Sequence, residues 1–277
     1  ENIIHLVLAR LPNSPEGVKG ISLFLVPKIL VDNEGNLGDR NNVNCVSIEE
    51  KMGVHGSATC VLSFENSLGY LIGEPNKGLQ AMFSMMNTER IAVGMQGLGL
   101  SEIAYQNGLS YAKDRIQGRD LKEYKNPEME ADPLLVHPDV RRMLLRSKAL
   151  IDGSRMLACW TALAVDKSLK DPDSSVRKEN SDLVELMTPI VKALLTDFGL
   201  EITNDMLQIF GGHGYIKEYG MEQFVRDARI APIWEGTNGI QALDLAGRKM
   251  PQGMGRLLRR FFHPVLAFIE QNRNDSE

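Results

Sequence analysis

The sequence predicts an α+β protein, a partial antiparallel β unit followed by an antiparallel helical bundle. Three observations carry this. Residues 1 to about 75 hold short runs of β-branched and aromatic residues between stretches rich in Gly, Pro and Asn. Beyond "GEPNKG" the apolar residues recur at three- and four-residue steps over long segments. At 277 residues and 43% hydrophobic, the chain can bury a sizeable core and hold more than one structural unit.

Four segments of residues 1–75 read as strands: "IIHLVLARL", "GISLFLVPKI", "CVSIEEKMGV" and "ATCVLSFEN". The turn-rich stretches "PNSPEGVKG" and "DNEGNLGDRNN" lie between them. A strand starting at residue 3, with no initiator Met or charged leader, is the expectation for a piece of a longer polypeptide, and so for an incomplete β unit.

Helical spacing then runs from Leu79 to about Gln117, through a glycine cluster in "GMQGLGLSE". Each helical glycine costs about 1 kcal/mol relative to alanine, so a closely packed neighbour is expected on that face. The polar loop "GRDLKEYKNPEMEADP" leads to a second helix, "HPDVRRMLLRSKALIDGSRMLACWTALAVDKS", with Pro138 in its first turn. A third runs from about Ser175 to Phe210, with a kink or break predicted at Pro189. A fourth follows in "TNGIQALDLAGRKM", where Thr237 or Asn238 can cap the first N–H groups. Long helices joined by loops read as a bundle over residues 76–250. Residues 251–277 begin a further helix, expected to be cut short, whose apolar face (Leu257, Leu258, Phe261, Phe262, Val265, Phe268) needs a partner.

Composition removes several function classes. The net charge is -5 and the basic residues are dispersed, so there is no electrostatic footprint for nucleic acid. Cys45, Cys60 and Cys159 form neither a disulfide framework nor a CxxC site. They read as packing residues in a reducing, cytoplasmic compartment. No apolar run reaches the roughly 18 residues that span a bilayer. A complete P-loop, GxGxxG, GxSxG and HExxH are all absent, and the five histidines are scattered, so no metal site is expected.

Three constellations remain. In "NTERIAVG", Glu89 and Arg90 read either as an exposed ion pair or as one inward-facing group. In "YAKDRIQGRD", Arg115, Gln117 and Arg119 read either as cations compensating a helix C-terminus or as a phosphate site. In "QIFGGHGYIKEYG", Gly211 and Gly212 beside Gln208 read either as a plain loop or as backbone that a ligand can approach closely. The acid of "PIWEGTNGIQ", Glu235, sits between Trp234 and Gly236, either as a helix N-terminal carboxylate or as a partly desolvated general base.

Taken in order, "EKMGVHGSATCVLSFEN", "ERIAVG", "YAKDRIQG", "QIFGGHGY" and "IWEGTNGIQ" resemble the acyl-CoA dehydrogenase family of flavoproteins over about residues 1–250. The helix after Gly253 and the loop between Gly118 and His137 resemble the larger subgroup with an extra C-terminal region, which includes the methylthiopropionyl-CoA dehydrogenase type. The resemblance implies the second half of the family's middle β domain in residues 1–75 and its C-terminal four-helix bundle in 76–250. It implies FAD-dependent α,β-dehydrogenation of an acyl-CoA thioester to the trans-2-enoyl-CoA, with Glu235 taking the α proton, Trp234 as its desolvating wall, and hydride passing to flavin N5. Glu89 matches the position of the base in a minority of members. Asn87, Arg90, Trp234 and Gly236 fall at acyl-CoA-binding positions. Arg115 and Gln117 match contacts to the FAD pyrophosphate of a neighbouring subunit; Gln208, Gly211 and Gly212 match contacts around its adenosine. Thr237 and Asn238 match contacts to the subunit's own FAD.

A shared site implies a homodimer or homotetramer, and the expected electron acceptor is an electron-transfer flavoprotein. Two departures stand out: Gly118 follows the Arg-x-Gln in place of a common phenylalanine, and "VHPDVRRML" stands where most members carry Phe-Gln. The fragment itself is expected to be inactive. The rival class is a catalytically inert or DNA-associated flavoprotein of the same fold, against which the acidic balance and the intact "WEG" argue.

Overall fold

The computed structural model describes residues 2–273 except 124 and 126. The chain divides into two compact units, Glu1–Thr88 and Glu89–Glu277.

The first unit is antiparallel β. Strands β1 (Ile4–Arg10), β2 (Ile21–Pro27), β3 (Ile29–Val31), β4 (Leu37–Arg40), β5 (Val43–Ile48), β6 (Cys60–Phe64) and β7 (Tyr70–Ile72) form a sheet of order β1-β2-β7 and the two-stranded ladders β3-β4 and β5-β6. The register of β1 on β2 runs from Ile4 opposite Pro27 to Arg10 opposite Ile21. The unit holds more strands than the four expected because "DNEGN" folds back on itself. The Asp32 carboxylate accepts from the main-chain N–H of Glu34 (2.9 Å) and Asn36 (2.8 Å), and Gly35 takes φ 90°. Buried Asn41 stitches the sheets together, donating to the carbonyls of Pro27 and Leu68 at 2.8 Å each and accepting from Leu68 N–H at 2.7 Å.

One expectation fails here. The cysteines do not pack: Cys45, Cys60 and Cys159 are all exposed. β5 and β6 pair with each other in a two-stranded sheet whose side chains are largely exposed, and Cys159 lies on an outward face of the second long helix.

Helix α1 (Gly78–Asp114) begins in the first unit and continues into the second. The second unit adds α2 (Pro138–Lys170), α3 (Ser174–Ile209), α4 (Met221–Arg229), α5 (Asn238–Asp244) and α6 (Gln252–Gln271). Local signals set the boundaries. Pro138 opens α2, with Asp139 in its first turn and Lys167 and Lys170 in its last. The Asp173 carboxylate caps α3, accepting from Ser175 N–H at 2.7 Å.

No break occurs at Pro189, and α3 is assigned as one helix through it. A proline inside a helix costs about 3 kcal/mol. Leu186, Met187, Val191 and Leu195 around it are each at most 2% exposed, and each fully buried side chain of this size contributes about 1.5–3 kcal/mol. Packing wins.

The glycines of α1 meet the expected close neighbour, which is α3. A Cβ on Gly97 would fall 2.5 Å from the Leu195 carbonyl oxygen, and one on Gly199 would fall 2.9 Å from Gly97 Cα. The two backbones touch, and a core of Leu98, Ala104, Met143, Ile151, Ile202 and Met206 fills the space alongside. In α6, Leu257 is fully buried and Phe261 packs on that core, whereas Phe262, Val265 and Phe268 are exposed. A left-handed stretch, Gly253 to Gly255, interrupts the start of this helix, just after the π-helical turn Leu245–Lys249.

Among the described residues no helix is long and apolar enough to cross a membrane.

Candidate active site

After α4 ends at Arg229 the chain turns sharply before α5 begins. Trp234 N–H donates to the Ile230 carbonyl (3.1 Å) and Asn238 N–H to the Pro232 carbonyl (3.0 Å). At the apex two consecutive residues are left-handed, Glu235 at φ 53° and Gly236 at φ 85°. Glutamate pays about 1–2 kcal/mol for that conformation, so the surroundings must hold it there.

Three side chains do so. Thr237 caps α5, its Oγ1 accepting from Ile240 N–H at 3.3 Å. Gln241, 1% exposed, donates its amide N–H groups to the carbonyls of Glu235 (3.2 Å) and Gly236 (3.1 Å). Asn238 turns its side chain onto α3, where its Oδ1 accepts from Lys192 Nζ (2.8 Å) and its Nδ2 donates to Asp197 Oδ1 (2.7 Å) and Thr196 Oγ1 (3.0 Å). Gly236 cannot be replaced without strain, since a Cβ would meet Gln241 Nε2 at 2.8 Å.

The turn is also charged. Arg90, buried at 5% exposure, pairs with buried Asp244 at 3.4 Å, and Arg248 meets the other oxygen of Asp244 at 2.9 Å. An Arg90 Nη lies 3.9 Å from the point a Cβ on Gly236 would occupy, so the guanidinium abuts the turn. Of the two readings of "ERIAVG", the arginine is the inward group, while Glu89 is exposed. Trp234 and Glu235 are half-buried, and the indole N–H is a buried donor with no protein acceptor. Lys192 is completely buried. Burial pushes its pKa down to about 8 from 10.5; Asp197 and Glu235 oppose that shift and Arg90 adds to it.

A second group lies in the same unit. Arg115, Gln117, Gln208, Gly211 and Gly212 line one cavity of ≈ 690 Å³, together with Tyr111, His137 and His213. The Arg115 guanidinium has no protein partner among the described residues. A Cβ placed on Gly211 or Gly212 would have nothing within 4 Å, so the backbone there is open to the cavity. The wall behind it is rigid: Tyr111 stacks on Phe210 at 3.9 Å, its hydroxyl bonds His213 Nδ1 at 2.8 Å, and His213 stacks on Tyr219. Cationic and amide donors around bare glycine backbone suit a pyrophosphate and its attached nucleoside. The residues fit the FAD that the family resemblance implies.

Arg119 does not join this group. It pairs with fully buried Asp132 at 3.6 Å and donates to the Met129 carbonyl, which anchors the loop after α1. His137, at the departure in "VHPDV", donates its Nε2–H to the Gln117 carbonyl at 2.7 Å and so shapes the cavity edge. Asn87 lies in the first unit, exposed on α1. Sequence reasoning missed Lys192, Gln241 and Asp244. For Lys192 a signal existed: in "TPIVKALLT" it occupies the buried stripe with Thr188, Leu195 and Thr196, where a methionine or leucine belongs. Among the described residues no group of three or more His, Cys, Asp or Glu could hold a metal ion.

Comparison with known proteins gives the family. Residues 76–250 match the family described as Acyl-CoA dehydrogenase, C-terminal domain. The chain is 49% identical over 267 residues to 3-methylmercaptopropionyl-CoA dehydrogenase of Ruegeria pomeroyi, covering 96% of this chain and 45% of that protein. It is 36% identical over 281 residues to a butyryl-CoA dehydrogenase of Syntrophomonas wolfei, covering 99% and 46%. Among solved structures, butyryl-CoA dehydrogenase from Megasphaera elsdenii superposes with a TM-score of 0.68 at 27% identity, over 88% of this chain and 55% of that one. The chain belongs to the acyl-CoA dehydrogenase family. It spans less than half the length of these two sequence relatives.

Proposed function

We propose that this chain carries the proton-abstracting carboxylate and much of the cofactor cradle of an FAD-dependent acyl-CoA dehydrogenase, with Glu235 as the base. One observation carries the choice of acid. Glu235 is half-buried on a left-handed turn that Gln241, Asn238 and Thr237 lock in place, whereas Glu89 is exposed on α1.

The chemistry asks for such an acid. The α C–H of a thioester is weakly acidic, and a carboxylate held at one orientation beside it removes the proton without reorganising. Trp234, half-buried next to Glu235 in the chain, is the group suited to limit water there. Gly236 lets the main chain turn there with no side chain in the way. Arg90, tied to Asp244, sets positive charge against the turn and is the group on this chain suited to the thioester end of the substrate. When bound, the flavin accepts the hydride that leaves the β carbon.

Arg115, Gln117, Gln208, Gly211 and Gly212 are the residues to hold the pyrophosphate and adenosine of a neighbouring subunit's FAD, which makes the active unit a homodimer or homotetramer. Thr237 and Asn238 border the subunit's own FAD. Because the Asn238 amide is committed to α3, its contribution is to fix the turn. Electrons leave to an electron-transfer flavoprotein. The likeness to the Ruegeria relative supports trying short thioesters such as methylthiopropionyl-CoA first.

The test uses the full-length protein. Anaerobic mixing with acyl-CoA should bleach the flavin of the Glu89→Gln variant and leave that of Glu235→Gln oxidised, with FAD bound in both. Bleaching by Glu235→Gln at the parent rate contradicts the assignment.

A further inference from the structure

Lys192 is a charged group with no role in the chemistry above. It sits at 0% exposure in the middle of α3, between Val191 and Leu195, which are themselves buried. An ammonium there is costly, and two features raise the cost. Its hydrogen-bond partner, Asn238, is the first residue of α5, so the charge faces the positive end of that helix. Arg90, a second cation, acts on it from α1. A core built for stability alone would place a methionine at this position.

What the lysine gains is control of the turn. Asn238 Oδ1 accepts from Lys192 Nζ at 2.8 Å and from Thr196 Oγ1 at 3.3 Å, and Asn238 Nδ2 reaches the Ala193 carbonyl (3.2 Å) and Asp197 Oδ1 (2.7 Å). One turn of α3 thus grips a single side chain three residues after Glu235. The charges facing the ammonium are Asp197 on α3, Arg90 on α1 and Glu235 on the turn itself. Glu235 has the smallest influence of these on the ammonium, and the Asn238 hydrogen bonds supply the fixed geometry.

We propose that Lys192 is a positioning residue, which through Asn238 holds the left-handed turn so that the Glu235 carboxylate stays in one orientation. The proposal rests on the reading of Glu235 as the base.

The full-length holoprotein tests it, with Lys192→Met as the first variant and Asn238→Ala, which severs the link but keeps the lysine, as the second. Hydrogen exchange read by mass spectrometry reports the turn independently of activity. Exchange in the peptide covering residues 232–241 should rise at least tenfold in both variants while peptides of α2 and the rest of α3 stay unchanged. The rate of flavin reduction at saturating acyl-CoA should fall at least tenfold, with KM and FAD content within twofold of the parent.

A Lys192→Met protein that keeps the parent exchange and the parent reduction rate overturns the proposal, and so does exchange that rises evenly through the bundle. Should Lys192→Met fail to fold, Asn238→Ala decides on the same two readouts. Glu235→Gln, run alongside, separates the two readings. If it abolishes reduction while Lys192→Met does not slow it, only the positioning role fails. If Glu235→Gln reduces flavin at the parent rate, the base assignment fails and takes the positioning role with it.

Discussion

Gln241 and Glu235 are joined across the first turn of α5: the Gln241 side-chain amide donates at 3.2 Å to the main-chain carbonyl of Glu235, and at 3.1 Å to that of Gly236. Glu235 is therefore held by its backbone, which leaves its carboxylate free for the proton abstraction proposed above. Gln241→Leu removes both bonds and strands two carbonyls. It should destabilise the protein by about 1–3 kcal/mol, read by chemical denaturation, and slow flavin reduction with no loss of FAD.

Glu235 occupies a conformation that glycine adopts readily, with φ 53°. Glu235→Gly is expected to hold or raise stability by about 1 kcal/mol while abolishing flavin reduction. Thermal unfolding and bleaching measured on one preparation check this. A large loss of stability would mean that the turn is not strained.

Lys192 gives stability a pH signature. Its folded pKa, pushed down to about 8, lies below the unfolded value of 10.5, so between these pH values the unfolded chain binds more protons. Stability contributed by this group therefore rises with pH across that window and is constant below it. A shift of this size corresponds to roughly 3 kcal/mol. The stability difference between parent and Lys192→Met should move in favour of the parent from pH 8 to 10.5, as measured by urea unfolding at each pH.

Arg90 and Asp244 are both buried and paired. Asp244→Asn leaves the arginine short of its counter-charge and should cost about 3–5 kcal/mol. The double replacement Arg90→Met with Asp244→Leu should recover most of that stability without recovering activity, because the guanidinium beside the turn is gone.

Gly97 meets the backbone of α3 where a Cβ would fall 2.5 Å from the Leu195 carbonyl. Gly97→Ala should cost about 1–3 kcal/mol through overpacking. Gly99 has nothing within 4 Å of its Cβ position, and Gly99→Ala should stabilise by up to about 1 kcal/mol. Unfolding midpoints of the two variants, compared directly, check both signs.

Much of this architecture was legible in the residues. Period located α1, α2 and α3 within a few positions, because their apolar stripes are long and Pro138 punctuates the second. The glycines of α1 announced a close neighbour but not which one, since helix pairing is a tertiary fact. Pro189 misled toward a break because the local penalty was visible and the burial around it was not. In the site, Arg115 and Gly211 lie 96 residues apart in sequence, and the cavity they share emerges only from the fold. Lys192 was overlooked because a lysine among apolar residues looks like a surface position until its helix face is known. Glu235 stood out at once, flanked by a large ring and a glycine, yet its left-handed backbone and the side chains that enforce it appear only in three dimensions.

As proposed, the carboxylate of Glu235 removes the α proton of an acyl thioester. Deuterium incorporation at the α carbon of acyl-CoA, followed by mass spectrometry for full-length holoprotein in D2O, measures that step directly. The account predicts exchange by the parent and by Glu89→Gln, and a rate lower by roughly 10³ for Glu235→Gln. Exchange by Glu235→Gln at the parent rate, with Glu89→Gln inert, would contradict it.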